Sequence, residues 1–343
     1  MSPYGSHAGA SVIPMKTPAL TSLARTWIAL LALAAAAVAA APAQAAFPGT
    51  PGPIAYSHGF SSETETTGGI YIHGPRQSQA PVSLTSDPGD QSPSYSADGQ
   101  KIVFSGNRDA GSHNSLHLYV MNADGSGVTA LTSGEENRDL NPSFSPNGQK
   151  VVFDRMVGFG HPHIFIVNVD GSGLHALTEG AYSDYDPTFA PNGRWIAFTS
   201  NRDHDVRTDR SDIFSMRPDG SNQRVLIDGP RNESEPDIAP DGRSIAFASN
   251  RKPGNNIYVA RADGSHVRQL THSPECHHRE CFFSPSWAPD GKHIAFLGLR
   301  RSSSDLQVMR SDGSHLSDFT ETGTEEEGYG SSTGPPSWGV RAR

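Results

Sequence analysis

Short apolar runs separated by turn residues fill the chain after its first 45 positions, and no stretch there carries the 3.6-residue period of a helix. The clearest runs are Ile102-Val103-Phe104, Val151-Val152-Phe153, Ile196-Ala197-Phe198, Ile245-Ala246-Phe247 and Ile294-Ala295-Phe296. Each follows an Asp-Gly or Asn-Gly turn and leads into a polar stretch, three times containing Asn-Arg (Asn107-Arg108, Asn201-Arg202, Asn250-Arg251). A second apolar run comes next, such as Leu118-Tyr119-Val120-Met121, Ile164-Phe165-Ile166-Val167 or Ile257-Tyr258-Val259. An Asp-Gly-Ser turn closes it at Asp124, Asp170, Asp219, Asp263 and Asp312, and a last short segment ends in Leu-Thr at Leu131-Thr132, Leu177-Thr178 and Leu270-Thr271. Brief runs rich in Val, Ile, Phe and Tyr between Gly-containing turns predict a four-stranded antiparallel meander. Its middle strands are almost continuously apolar rather than alternating, which suits a sheet buried on both faces.

The unit repeats. Pro93-Ser-Tyr-Ser-Ala-Asp-Gly99 recurs in related form from Pro142, Pro187, Pro236 and Pro285, at spacings of 49, 45, 49 and 49 residues, and a truncated copy, Pro336-Ser-Trp338, lies 51 further on. Four strands per period of this length are the mark of a β-propeller. Ile54-Ala-Tyr56, Ile70-Tyr-Ile72 and Val82-Ser-Leu-Thr85 read as strands two to four of a blade without its first strand, and Pro336-Ser-Trp338 as a first strand without the rest. Joined, they give five whole repeats plus one composite blade: an all-β, six-bladed propeller over residues 46–343, closed by both chain ends.

The segment before it is an address. Lys16 and Arg25 precede the apolar run from Trp27 to Ala40, and Ala43-Gln44-Ala45 follows it. That order predicts a secretory signal peptide over residues 1–45, with Met15 the better translation start. As a helix the run rises about 21 Å, short of the roughly 30 Å hydrocarbon core. No transmembrane span is therefore expected in the mature chain, which is placed outside the cytoplasm, periplasmic or secreted. Formal charge is −9, and processing removes two basic residues and no acidic one. An acidic surface argues against a nucleic-acid partner. Export also makes the only two cysteines readable: an oxidising compartment favours a Cys276–Cys281 disulfide, worth about 2 kcal/mol by loop closure. A metal site with His277 and His278, or two free thiols, remains the alternative, although Cys-x4-Cys is not a standard zinc spacing.

The phrase Pro-x-aromatic-Ser/Ala-Pro-Asp-Gly-Lys/Arg-x-Ile-Ala-Phe, then Ile-Tyr-Val, then Asp-Gly-Ser, resembles the WD40-like repeat (PD40) of the TolB β-propeller family. The matches are best over residues 285–296 and 236–265, and the resemblance covers residues 53–340. It implies a six-bladed propeller in the periplasm that binds a lipoprotein partner across its mouth and, in some members, a metal ion in the channel. The family also carries an α/β domain ahead of the propeller. Only eight residues separate Ala45 from Ile54, so no such domain is expected here, and the chain reads as a relative outside the family's envelope-tethering role.

Candidate chemistry clusters at one mouth of the ring. An acid stands three residues before the repeat proline in four of six copies (Asp90, Asp139, Asp184, Glu233), and Asp186 adds another. This position opens the innermost strand. The acids are either a site for a hard cation such as calcium or for a basic, polyhydroxylated or peptide ligand, or repeated turn caps that accept backbone N–H bonds. Phe282 and Thr333 break the series and make the mouth asymmetric. The loop from Leu270 to Pro285 is longer than its counterparts and carries His272, His277, His278 and Arg279. That from Phe319 to Pro336 is also long and carries Glu325-Glu326-Glu327. Gly330-Ser-Ser-Thr-Gly334 matches the nucleophile-elbow pattern, but no Asp, Glu or His follows it to complete a triad. The expected function is thus a noncatalytic, monomeric, exported propeller that binds a protein or peptide partner at the cell envelope. Its candidate binding residues are Asp90, Asp139, Asp184, Asp186, Glu233, His277, His278 and Arg279. The alternative is an extracytoplasmic propeller enzyme, of glycan lyase or lactonase type, with a channel-mouth metal.

Overall fold

The computed structural model describes residues 49–61, 66–74, 80–108, 115–203, 210–273, 281–300, 303–320, 331–333 and 335–340. The predicted signal peptide, Cys276, His277, His278 and Arg279 lie outside the described residues.

Every described element is a strand, and the strands form six antiparallel sheets. Blade 1 comprises Gln91–Tyr95, Lys101–Gly106, His117–Asn122 and Thr129–Ala130. Blade 2 comprises Asn137–Phe144, Lys150–Val157, His163–Asn168 and His175–Ala176. Blade 3 comprises Asp184–Phe189, Ile196–Ser200, Asp212–Met216 and Arg224–Ile227. Blade 4 comprises Glu233–Ile238, Ser244–Ser249, Asn256–Arg261 and Arg268–Gln269. Blade 5 comprises Cys281–Trp287, His293–Arg300, Ser303–Arg310 and Ser317–Asp318. The innermost strand of each blade packs against the next, and the ring closes on itself.

The sixth blade is the composite predicted from the chain ends. Pro51–Ser61, Thr66–His73 and Val82–Ser83 supply three strands, and the C-terminal part pairs antiparallel with the first of them. Its inner edge differs from the single strand expected. Two pieces, Ser331–Thr333 and Ser337–Val340, pair in turn with Pro51–Ser61, opposite Phe60 to His58 and Ala55 to Pro51. Pro335 and Pro336 lie between them, and two successive prolines offer no N–H to a ladder.

Burial explains the unbroken apolar character of the middle strands. Six buried clusters each straddle one blade interface: Val103, Leu118 and Leu131 of blade 1 pack on Phe144, Val151 and Phe153 of blade 2, and the pattern repeats around the ring. Phe104, Phe153, Phe198, Phe247 and Phe296, one per complete repeat, are all fully buried. Each contributes about 1.5–3 kcal/mol by leaving water.

The repeated polar phrases hold the strands in register. The threonine of Leu-Thr accepts a third-strand amide: Leu118 N–H to Thr132 Oγ1, Ile164 to Thr178 and Ile257 to Thr271, each at 2.9 Å. In the Asp-Gly-Ser turns the aspartate accepts from the serine amide and hydroxyl, as at Asp219 (2.9 and 2.6 Å). Gly220 of that turn has φ +80°, and a Cβ there would lie 2.7 Å from the Leu177 carbonyl oxygen of the preceding blade. Glycine is needed for both reasons. Among the described residues no helix is long and apolar enough to cross a membrane.

Candidate functional site

Two tiers of polar residues surround the channel, and their chemistry differs. The outer tier contains the acids expected at the mouth. Asp90, Asp139, Asp184 and Glu233 lie at or near the start of the inner strands of blades 1 to 4 and are 0–2 % exposed. Each pairs with an arginine near the end of its own second strand, Arg155 within it and Arg108, Arg202 and Arg251 two residues past it. Asp139 lies directly opposite Arg155 in the sheet and accepts from its Nε at 2.6 Å and Nη2 at 2.7 Å. Arg108 binds Asp90 with two donors, Arg202 Nη2 lies 2.8 Å from Asp184, and Arg251 Nη2 lies 2.8 Å from Glu233.

The guanidinium groups lie over aromatic rings of the middle strands. Arg155 sits 5.4 and 5.2 Å from the ring centres of Phe153 and Phe165, and Arg251 sits 5.5 and 5.2 Å from those of Phe247 and Tyr258. A cation within about 6 Å of a ring face gains from the ring quadrupole. Where blade 5 substitutes Phe282 for the acid, that ring packs edge-on against Phe296 at 5.6 Å, so an apolar contact replaces the ion pair. Burial pushes the Glu233 carboxyl up, and Arg251 opposes that shift. Asp184 is also 3.7 Å from His163 Nδ1. These four acids hold arginines. They are not among the residues that line the cavity described next. The Asn-Arg dipeptides were the sequence signal for three of the partners.

The inner tier begins one residue before each repeat proline. Ser92, Asn141, Asp186, Glu235 and Ser284 all have φ between 50° and 53°, the left-handed region. Each strand breaks register at this point, as between Tyr185 and Thr188, so the residue and its proline form a bulge. A non-glycine residue held this way costs about 1–3 kcal/mol, and proline is tolerated because a bulge leaves its missing N–H undemanded.

Hydrogen bonds then run from blade to blade. Ser92 Oγ donates to Asn141 Oδ1 at 3.3 Å, and Asn141 Nδ2 donates to Asp186 Oδ1 at 2.8 Å and to Asp154 Oδ1 at 3.0 Å. The Glu235 amide donates to Thr199 Oγ1 at 3.2 Å, and Ser284 donates its amide and hydroxyl to Glu235 at 2.8 and 3.2 Å. One step further along the strands, the Trp287 amide donates to Asp237 at 2.6 Å.

This tier walls a cavity of about 310 Å³ along the channel, with residues from all six blades. The repeat prolines supply much of its surface, and Asp186, Glu235 and Asp237 supply its charge; no Lys, Arg or His lines it. Burial pushes the Asp237 carboxyl up to about 7, and that of Asp154, behind the wall, up to about 7 as well. Asp186 is raised well above the usual carboxylate range by burial and then by the charges of Glu235 and Asp154. Glu235 is raised by burial against the opposing hydrogen bonds from Ser284. Among the described residues no ion pair to any of these carboxyls is formed.

Of the eight candidate residues, Asp186 alone lines the cavity among those described. Asn141, Asp154, Glu235 and Asp237 were missed, although the polar residue before the repeat proline in five copies could have revealed the tier. For a calcium ion, one of the readings weighed for the acids, the described residues offer no fitting donor set: no three acidic, histidine or cysteine side chains among them converge on a metal-sized point. Cys281 opens the inner strand of blade 5, is buried and has no free thiol; its expected partner lies outside the described residues. Ser332 sits in a strand paired with Gly59, not in the strand–turn–helix of a nucleophile elbow.

Comparison with known proteins agrees with this geometry. A family model described as the TolB beta propeller domain matches residues 41–207 and 205–335. A sequence search finds no match among curated proteins. Among solved structures, TolB from Acinetobacter baumannii superposes with a TM-score of 0.67 at 18 % identity, over 84 % of this chain and 67 % of that one. A chain assigned as TolB from Agrobacterium tumefaciens gives 0.60 at 20 % identity, over 78 % and 89 %. Hydrazine synthase from Kuenenia stuttgartiensis gives 0.65 at 13 % identity, over 87 % of this chain and 48 % of that one. At such identities the likeness is one of fold.

Proposed function

Because the chain belongs to the TolB β-propeller family, we propose that it is a noncatalytic binding module of the cell envelope that takes a protein or peptide partner into its channel. The observation that carries the reading is the cavity itself: all six blades wall it, and its described lining holds three half-buried carboxyls and no Lys, Arg or His. A rigid ring of strands is a scaffold on which such a surface keeps its shape. The fold alone names no function. The neighbours that share it include TolB and a hydrazine synthase.

Export rests on the basic, apolar and small-residue order of residues 1–45. In an oxidising compartment the mature chain, residues 46–343, acts as a monomer with Cys276 and Cys281 joined. His277, His278 and Arg279, in the same sequence segment, remain candidate contacts for the partner. The outer acids Asp90, Asp139, Asp184 and Glu233 serve the site by holding the inner strands, through their arginines, in the register that aims the inner tier at the channel.

The test is capture from the organism's own envelope extract by tagged mature protein, beside a variant whose channel is filled by Ser94→Trp and Ser337→Trp. A partner enriched by the wild type and absent from the filled but folded variant supports the reading. The same partner held equally by both would remove the channel from it.

A further inference from the structure

The hairpin between the second and third strands of blade 2 departs from its counterparts. In blades 1, 3 and 4 the arginine that holds the inner acid stands in an Asn-Arg dipeptide past the second strand, at Arg108, Arg202 and Arg251, so the hairpin opens on polar residues. Blade 2 carries that arginine inside the strand, at Arg155, directly opposite Asp139. The ion pair is kept without the hairpin, and the chain runs on through Met156-Val157-Gly158-Phe159-Gly160. Val157 is 58 % exposed and Phe159 is 103 % exposed, the one aromatic side chain among the exposed large hydrophobic residues described. The tip is nonetheless held in place. The Gly158 amide donates to the Glu136 carbonyl at 2.9 Å, the Gly160 amide donates to the Val157 carbonyl at 3.0 Å, and His161 Nδ1 lies 3.2 Å from Ser183 Oγ in the segment entering blade 3. Gly158 sits at φ +57°, and neither glycine has a side chain to cover the ring. None of these residues lines the channel cavity.

A lone exposed apolar residue is ordinary on a protein surface. A Phe and a Val displayed together on a hydrogen-bonded turn, in a blade whose arginine is drawn back from that turn, form a small built contact. Going beyond the channel, we propose that this tip is a second docking point, at which Phe159 enters an apolar socket edged by lysine or arginine on a folded partner protein. The charge beside the tip sets that edge. A Cβ on Gly158 would lie 3.8 Å from Glu136 Oε2, and Glu135 and Glu136 are both exposed, against one exposed arginine in the same segment, Arg138. An aromatic ring in an apolar pocket with charges at its rim is the common anatomy of a protein contact. Because the turn is already fixed, docking has little chain left to order. A lipid surface is the poorer occupant. The two side chains carry fewer apolar carbons than one myristoyl chain, which alone holds a protein only marginally, and the carboxylates repel anionic headgroups. A second copy docked tip to tip would set the Glu136 carboxylates of the two chains against each other.

The experiment places a photo-crosslinking residue at Val157 of the full-length chain in its own cells, alone and combined with Phe159→Ser or with Glu135→Lys/Glu136→Lys. Circular dichroism of the purified variants checks folding, which the exposure of all four positions favours. One discrete adduct is expected, in which the partner's crosslinked peptide carries lysine or arginine beside apolar residues. Phe159→Ser should lower its yield about tenfold, and the charge reversal about threefold. An adduct of twice the chain's mass would assign the tip to a second copy. Cosedimentation with phosphatidylcholine vesicles that Phe159→Ser abolishes would assign it to lipid. An adduct indifferent to the charge reversal would remove the basic edge, and no adduct at all would leave the tip without a docking role. Each of these four results overturns the proposal. None of them touches the channel reading, which the filled-channel variant decides separately.

Discussion

Arg155 grips Asp139 from directly across the sheet with two hydrogen bonds, 2.6 and 2.7 Å long, and neither side chain reaches solvent appreciably. Thr132 donates a third bond to the same carboxylate at 2.5 Å. Removing one member of a buried pair leaves an uncompensated charge, so Asp139→Ala should cost about 3–5 kcal/mol of stability. Blade 5 shows the other solution, Phe282 packed on Phe296. An Asp139→Phe/Arg155→Leu double variant should accordingly recover most of the loss. Denaturant unfolding of the three proteins checks this; losses that simply add would deny the coupling.

The inner tier should behave in the opposite sense. Asp237 has its folded pKa raised from 3.8 to about 7 by burial. Its protonated form favours the fold, so its contribution is full below the ordinary carboxylate range and is lost as pH rises through about 7. Asp237→Asn keeps the neutral form at every pH. It should match the wild type near pH 4 and exceed it at pH 8, by on the order of a few kcal/mol at most. Thermal melts across that range test it, and a variant less stable than the wild type at pH 8 would show that the ionised carboxylate is needed.

Ring closure can be tested at its seam. Trp338 is buried among Ile54, Tyr56, Ala288 and Ala295, so it joins the C-terminal strand both to the first strand of the chain and to blade 5. Trp338→Ala should cost about 3–5 kcal/mol. A chain ending at residue 334, which loses the Pro51–Val340 pairing as well, should fall further in melting temperature. Equal stability of the two variants would mean that the seam strand adds nothing beyond its indole.

The Leu-Thr threonines should be measurable one at a time. Thr178→Val removes the acceptor of the buried Ile164 amide, which should cost about 1–3 kcal/mol. It should also speed hydrogen exchange at Ile164 more than at neighbouring amides. Unchanged protection at Ile164 would assign the threonine to packing alone.

The ring was legible in the chain because one unit is written five times. The Pro…Asp/Asn-Gly phrase, the Phe of each second strand and the Leu-Thr ends mark strand positions, and the unmatched ends at Ile54 and Trp338 show how the ring closes. The site was less legible because strand alternation and bulging decide which of two nearby acids faces the channel. Asp184 and Asp186 stand two apart, a spacing that puts both on one face of an ideal strand. The left-handed turn at Asp186 separates them, sending Asp184 to Arg202 and Asp186 to the cavity. Nothing in the spacing announces a bulge, although a polar residue before proline in five repeats is its trace.

A photo-crosslinking residue placed at Ser337 on the channel wall, and in a second strain at exposed Thr129 on the outer edge of blade 1, compares the two surfaces in living cells. If the channel is the binding surface, Ser337 should yield one discrete adduct that Ser94→Trp in the same chain abolishes, and Thr129 should yield none. A discrete adduct from Thr129 with none from Ser337 would place binding on the rim of the blades and contradict a channel that takes in its partner.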